Sequence, residues 1–285
     1  MLQALSKPGQ APDLMTMPHT GWEWRMGDTL CSPGYRWTLL VMMPATKRFS
    51  PALCLALCLL GQVAATRAAD NCHPPADPVK SQYLVGYGSL MNDASKRKTA
   101  PDVGDNLPVR VRGFSRHWGL HDTGPGFGTT YLVAEPEPRG HMNAVIFHLP
   151  EAGQLDDYDR REAGYCRALV PGDAVEMAGF DDKPQAQFWI YVRQRPEPQA
   201  PSRRYPLTQS YVDIFLGGCL ELEQRHQLQD FAVECVTTTR GWSAHWVNDR
   251  LQPRRPLQHQ PLAFRIDRLL HNQLPRLYPD RVRIE

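Results

Sequence analysis

This 285-residue chain lacks a long apolar run: the longest, residues 52–60 (ALCLALCLL), has nine residues. A transmembrane helix needs about 20, so no stable membrane span is expected. Neither sign of charge dominates, with 32 Lys+Arg against 30 Asp+Glu. The small positive excess belongs to residues 1–69, with six basic and three acidic side chains; residues 70–285 hold 26 basic and 27 acidic. Phosphate-backbone binding leaves a basic footprint, and none is present, so nucleic acid is not an expected partner. No internal repeat or low-complexity tract points to a solenoid or a fibre. Closely spaced metal ligands are missing too: Cys72, Cys166, Cys219 and Cys235 lie far apart, and His117, His121, His141 and His148 scatter without ligand spacing.

The first seventy residues have their own logic. Lys47 and Arg48 precede the apolar run at 52–60, and Ala64, Ala65, Ala68 and Ala69 follow it. A basic start, a short apolar middle and a small-residue end form a secretory signal peptide, assigned here to residues 43–69. The mature protein is therefore expected to be exported, periplasmic or secreted. Residues 1–42, interrupted by Pro8, Pro12, Pro18 and Pro33, read as a disordered or non-native extension ahead of a start at Met42 or Met43. Of seven cysteines, Cys31, Cys54 and Cys58 lie in this leader. The other four allow three pairings; in an oxidising compartment they form one or two disulfides, with free buried thiols as the alternative.

Short aromatic or β-branched runs bounded by Gly or Pro predict strands at 83–85, 109–111, 131–134, 144–149 and 188–192. Helical spacing appears over 151–162, over 207–222, and through Phe264, Ile266, Leu269, Leu270 and Leu274 up to Pro275. The pattern is that of an α+β protein with a small mixed β-barrel or curled sheet flanked by helices. Residues 70–220 are assigned to the main domain and 221–285 to a helical C-terminal extension packed on it.

Two segments carry candidate chemistry. In 83–90 (YLVGYGSL) a strand runs into two glycines, whose turn presents N–H groups able to hold a carboxylate or an oxyanion; a tight turn without a ligand has the same composition. In 156–167 (DDYDRREAGYCR) a charged helix end meets Gly164 and a strand beginning near Tyr165. By itself this reads as a solvated helix end, with Glu162 paired to Arg160, Arg161 or Arg167 at little energetic gain.

Together, a GYGSL loop and a later D-x-x-E-x-G-Y segment resemble the γ-glutamylcyclotransferase superfamily, over roughly residues 82–220. Tyr87, Gly88, Ser89 and Leu90 match its substrate-cradling loop and Glu162 its catalytic Glu. Residues 190–192 (IYV), with Pro201, Ser202, Tyr205 and a helix over 210–218, look like its strand-loop-helix, which places Tyr191 beside the substrate, and Tyr165 joins the binding set. Many members have Asn where this chain has Leu90. The glutathione-specific branch shares GYGSL and the Arg161, Glu162, Gly164, Tyr165 pattern, but its Trp after the loop is replaced here by Met91 and Asn92. The resemblance implies the family's barrel and an enzyme that cyclises a γ-glutamyl compound (glutathione, a γ-glutamyl amino acid or a γ-glutamyl amine) to 5-oxoproline. Glu162 then acts as general acid and base, with neither cofactor nor metal, and oligomeric state is left open. Two alternatives stand beside this: a non-catalytic binding module for γ-glutamyl or amino-acid ligands, and a thiol hydrolase centred on Cys166. Trp242 and Trp246, flanking His245, either line a cleft or pack the C-terminal segment on the core.

Overall fold

The computed structural model describes residues 72–285 except 125–126, 152, 180–181, 195–198, 255–261, 279–281 and 284–285. The expected signal peptide (43–69) and the extension expected before it lie outside the described residues. The elements, in chain order, begin with β1 (Ser81–Gly86), a 3₁₀ turn (Ser89–Met91), α1 (Asp93–Arg97), β2 (Leu107–Asp122) and β3 (Thr129–Leu149). They continue with α2 (Gln154–Arg161), β4 (Tyr165–Val170), β5 (Val175–Met177), β6 (Ala186–Arg193), β7 (Leu207–Thr208) and α3 (Gln209–Arg225). The chain closes with α4 (Phe231–Thr237), β8 (Thr239–Arg240), β9 (Trp246–Asn248), α5 (Ala263–Gln273) and β10 (Val282–Arg283).

This is the expected α+β architecture, with a curled mixed sheet ordered β4-β6-β1-β3-β2-β5 and helices against it. Closure comes from three strands. The C-terminal end of β3 pairs antiparallel with β1, β1 pairs parallel with β6, and Val192 of β6 returns to Ala134 near the start of β3. Leu84, Val85, Ile146, Phe147 and Ile190 are consequently buried on successive positions rather than alternate ones, because both faces of these strands are covered.

Two expected strands, 131–134 and 144–149, are one strand, and the expected 109–111 strand extends from 107 to 122. Pro136, Pro138 and Gly140 between the apolar runs suggest a break. In the structure residues 137–140 lie opposite the single residue Gly113 in a register shift, so the long hairpin bends without ending. Gly113 has φ +83°, a backbone state glycine adopts at little cost.

The helix over 209–225 buries Tyr211, Val212, Phe215, Leu216 and Cys219 against the sheet. Its N-terminus is capped from a distance: Asp249 accepts from the Ser210 N–H at 2.8 Å and from the Ser210 hydroxyl at 2.7 Å. Arg250 forks onto Asp213 with two 2.7 Å contacts and also reaches Asp267 of α5. Burial raises the Asp213 carboxyl, and its hydrogen bonds from Arg250 only partly offset that. Residues beyond 220 thus share one core with the sheet, through Phe231, Trp246, Ile266 and Leu270. Trp242 and Trp246 stack at 5.5 Å within that core.

Two disulfides, Cys72–Cys166 and Cys219–Cys235, use all four cysteines beyond the leader. Cys166 therefore has no free thiol, which removes the basis of the thiol-hydrolase alternative.

Candidate active site

The glycine loop leaves β1 at the centre of the sheet. Its turn is closed by the Met91 N–H on the Gly88 carbonyl at 3.0 Å, and the Asn92 side chain then caps α1 by accepting from the Ser95 N–H at 2.9 Å. Close approach explains the glycines. A Cβ on Gly86 would come within 2.8 Å of the Leu90 Cβ, and one on Gly88 within 2.8 Å of the Tyr211 hydroxyl. Among the described residues no hydrogen bond engages the N–H of Gly88 or Ser89. Tyr87 turns inward and donates to the Tyr191 carbonyl at 2.7 Å. Burial, reinforced by the nearby Glu162 charge, pushes its phenol well above its ordinary range, so it serves as a neutral tie.

Glu162 sits one residue past α2, its N–H bonded to the Tyr158 carbonyl at 2.8 Å and its carbonyl receiving the Tyr165 N–H at 2.8 Å. This corner aims the side chain at the loop while β4 departs into the sheet. The carboxylate is 17% exposed and lies 3.1 Å from the Arg161 Nε. Arg161 is spread over four further contacts: the Ser95 carbonyl at 2.9 Å, the Thr99 hydroxyl at 2.8 Å, and the Ser89 and Ser95 hydroxyls at 3.2 Å each. The ion pair that the composition places at an open surface is in fact half-buried, and it ties α2 to the glycine loop and α1.

A small cavity of about 30 Å³ is lined by Tyr87, Gly88, Ser89, Leu90, Glu162, Tyr165 and Tyr191, together with Val85, Leu132 and Tyr211. The structure therefore brings every sequence-selected site residue to one wall-to-wall space. Two of the tyrosines have their hydroxyls committed: Tyr165 donates to the Leu132 carbonyl at 2.8 Å, and Tyr191 to Asp159 at 2.6 Å. Burial raises both phenols, and the Asp159 hydrogen bond raises Tyr191 further. A second, larger cavity of about 690 Å³ shares Ser89, Glu162, Tyr165 and Tyr211 with the first and extends to Lys98, His121, Gln194 and Gln199.

Tyr211 and Tyr131 escape sequence reasoning. Tyr211 reads as part of the apolar stripe of a helix; only the packing of α3 sets its hydroxyl over Gly88, with its ring 4.8 Å from Tyr131. Of the scattered histidines, His121 borders the large cavity, its Nε2 2.8 Å from the Ala200 carbonyl and its ring stacked on Tyr205 at 4.1 Å. His117 pairs with Glu135 at 2.9 Å, and burial lowers its imidazole pKa. Among the described residues no group of three or more His, Cys, Asp or Glu side chains is placed to hold a metal ion, and no helix is long and apolar enough to cross a membrane.

The site is thus one carboxylate at the junction of two cavities, on the same wall as the Gly88 and Ser89 N–H groups, which have no hydrogen-bond partner among the described residues. No family model and no curated protein matches this chain. Solved structures similar to it include a γ-glutamyl cyclotransferase with 15% identity, covering 53% of this chain and 89% of that one at a TM-score of 0.40. A γ-glutamyl cyclotransferase specific to glutathione from yeast has 13% identity and covers 56% of this chain and 98% of its own at a TM-score of 0.33. YkqA from Bacillus subtilis has 19% identity over 52% of this chain and 53% of its own, at a TM-score of 0.39. At these scores function has to be argued from the site itself.

Proposed function

We propose that this protein is a γ-glutamylcyclotransferase that converts a γ-glutamyl compound to 5-oxoproline and releases its amine. The observation that carries the reading is the convergence of Glu162 and residues 87–90 on one small cavity whose wall is shared with a larger one. In this reading the glutamyl head sits against the glycine loop and the leaving amine extends into the larger space.

The chemistry needs only one protein carboxylate. Glu162 takes a proton from the substrate α-ammonium, the freed amine attacks the γ-carbonyl carbon, and an N–C bond closes the five-membered ring. As the bond to the leaving amine breaks, Glu162 passes that proton to the departing nitrogen, then takes the second proton from the ring nitrogen and hands it to the released amine, so a neutral lactam and an ammonium leave and the carboxylate is restored. Nucleophile and electrophile belong to one molecule, so the protein's task is to fold the substrate into attack geometry and to hold the developing oxyanion, for which the N–H groups of Gly88 and Ser89 are suited. Arg161, at 3.1 Å, keeps the carboxylate in place through the cycle.

Export completes the proposal. A signal peptide over 43–69 sends the chain to an oxidising compartment, and two disulfides are in keeping with that setting. N-terminal sequencing of the mature protein from cells tests this; a start before residue 43 would end it.

The functional test incubates residues 70–285 with glutathione, γ-glutamyl amino acids and γ-glutamyl amines and follows 5-oxoproline by mass spectrometry. Formation by wild type, lowered by roughly 10²- to 10⁴-fold in Glu162→Gln, is the expected result. Tight binding of the same compounds without any product would favour the binding module instead.

A further inference from the structure

The glycine loop is also gripped from the core, by a residue that neither the resemblance nor the cavities single out. Arg116 of β2 is fully buried, and no carboxylate pairs with it among the described residues. Its guanidinium instead donates to six neutral acceptors. Nε reaches the Thr239 hydroxyl at 2.7 Å; Nη1 reaches the Asn143 carbonyl at 2.9 Å and the Tyr87 carbonyl at 3.2 Å. Nη2 reaches the Asn143 side-chain oxygen at 2.9 Å, the Cys235 carbonyl at 3.0 Å and the Thr238 hydroxyl at 2.9 Å. The Phe215 ring lies 4.7 Å from the guanidinium carbon.

Burying an arginine without a counter-charge is costly, and here burial pushes the guanidinium below its ordinary range. A purely structural brace between β2 and β3 would be built more cheaply from apolar side chains of similar volume. The sixth contact suggests what the arrangement achieves. The Tyr87 carbonyl and the Gly88 N–H belong to one planar trans peptide, in which they point in opposite directions. Anchoring the carbonyl sets where that N–H is aimed. The peptide joins Tyr87 to Gly88, with Gly86 just before it, and glycines restrain the backbone least, so an external clamp is needed to hold it to one orientation. Five bonds to β3, α4 and the turn into β8 make Arg116 a rigid post for that clamp.

We infer that Arg116 is a positioning residue for the proposed cyclisation, orienting the Tyr87–Gly88 peptide at the wall of the small cavity from within the core. The inference rests on the cyclotransferase reading for its kinetic consequence but not for its structural one. The test uses purified protein with Arg116→Lys, which keeps the charge and loses the fork. Circular dichroism confirms folding, kcat is read as 5-oxoproline at saturating substrate, and the Gly88 amide resonance is followed in ¹⁵N-labelled protein without substrate. Expected are a shifted Gly88 resonance and a kcat lowered by roughly tenfold to a hundredfold, as for a misplacement near 1 Å.

An unmoved Gly88 resonance overturns the inference whatever kcat does, and so does a wild-type kcat in the folded variant. If Arg116→Lys does not fold, Thr239→Val loosens one anchor of the post. It is expected to shift the same resonance and lower kcat about threefold, the scale of one neutral hydrogen bond, and an unchanged resonance there has the same meaning. Wild type that forms no 5-oxoproline refutes the cyclisation reading alone, and the Gly88 resonance then decides whether Arg116 orients the loop.

Discussion

The glycine loop is held on two sides by arginines in opposite settings. On the cavity side Arg161 is partly exposed and pairs with Glu162 at 3.1 Å, while on the core side Arg116 is fully buried and, among the described residues, has only neutral acceptors. A charge near solvent can be paired with a carboxylate that remains accessible for proton transfer. A charge in the core cannot be shared with chemistry, and it serves geometry. Under the proposed function the comparison separates two roles within one short segment: the cavity side would supply the reactive group, and the core side would fix the backbone facing it.

The largest effect is expected on the cavity side. Glu162→Gln should lower 5-oxoproline formation by roughly 10²- to 10⁴-fold, the usual contribution of general acid–base catalysis, with an unchanged thermal melt. A variant that loses fold and activity together would place Glu162 with the structural residues and break the contrast.

The next effect belongs to the core side. Cys219–Cys235 joins α3 to α4, whose Cys235 carbonyl accepts from Arg116, across a sequence separation of 16. Replacing both cysteines by Ser should lower stability by about 3 kcal/mol, from loop entropy released in the unfolded chain, as read from urea unfolding. A loss confined to turnover, with an unmoved urea midpoint, would show that the division between the two sides is drawn wrongly.

Smaller is Arg161→Met. It removes the contact to Glu162 together with the hydrogen bonds to Ser89, Ser95 and Thr99; kcat/KM should fall about tenfold, the equivalent of ~1.5 kcal/mol, and stability by about 1 kcal/mol as α2 is loosened from α1. Unchanged kcat/KM would leave the Arg161–Glu162 pair without a part in turnover.

The smallest prediction concerns pH. Burial raises the Asp93 carboxyl, but hydrogen bonds from Lys96 and Arg97 outweigh it and hold its pKa below the usual carboxylate value. A lowered folded pKa means the unfolded chain binds the proton more readily. The stabilisation is therefore present above the ordinary carboxylate range and is lost as pH falls through the lowered value. Asp93→Asn should lower the urea midpoint near neutrality, and the gap to wild type should close in acid. A gap that persists at low pH would trace the contribution to packing instead of charge.

Much of the site is legible in the chain. The turn at 86–90 announces itself because glycines at a strand end have few other uses, and the helix end at Glu162 is visible from its charges and the following Gly164. The sheet is less so. Pro136 and Pro138 look like a strand break, yet Pro136 pairs with Phe114 and Pro138 lies in the bulge opposite Gly113, since the pairing that tolerates them is with a segment over twenty residues away. Tyr211 is hidden for another reason: an inward tyrosine on an amphipathic helix has the same periodicity whether it fills a core or overhangs a cavity.

By itself, then, the chain determined what depends on neighbours in sequence: turn chemistry, helix ends, strand character and charge balance. The tertiary structure alone decided which cysteines pair, that Ser89 and Tyr211 meet Glu162 at a shared wall, and that Arg116 reaches the Tyr87 carbonyl 29 positions away and Thr239 123 positions away. The reason is physical. Local pattern is set by backbone sterics and side-chain period, whereas these contacts exist only after β3, β1 and β6 close on one another, and closure is a property of the whole core.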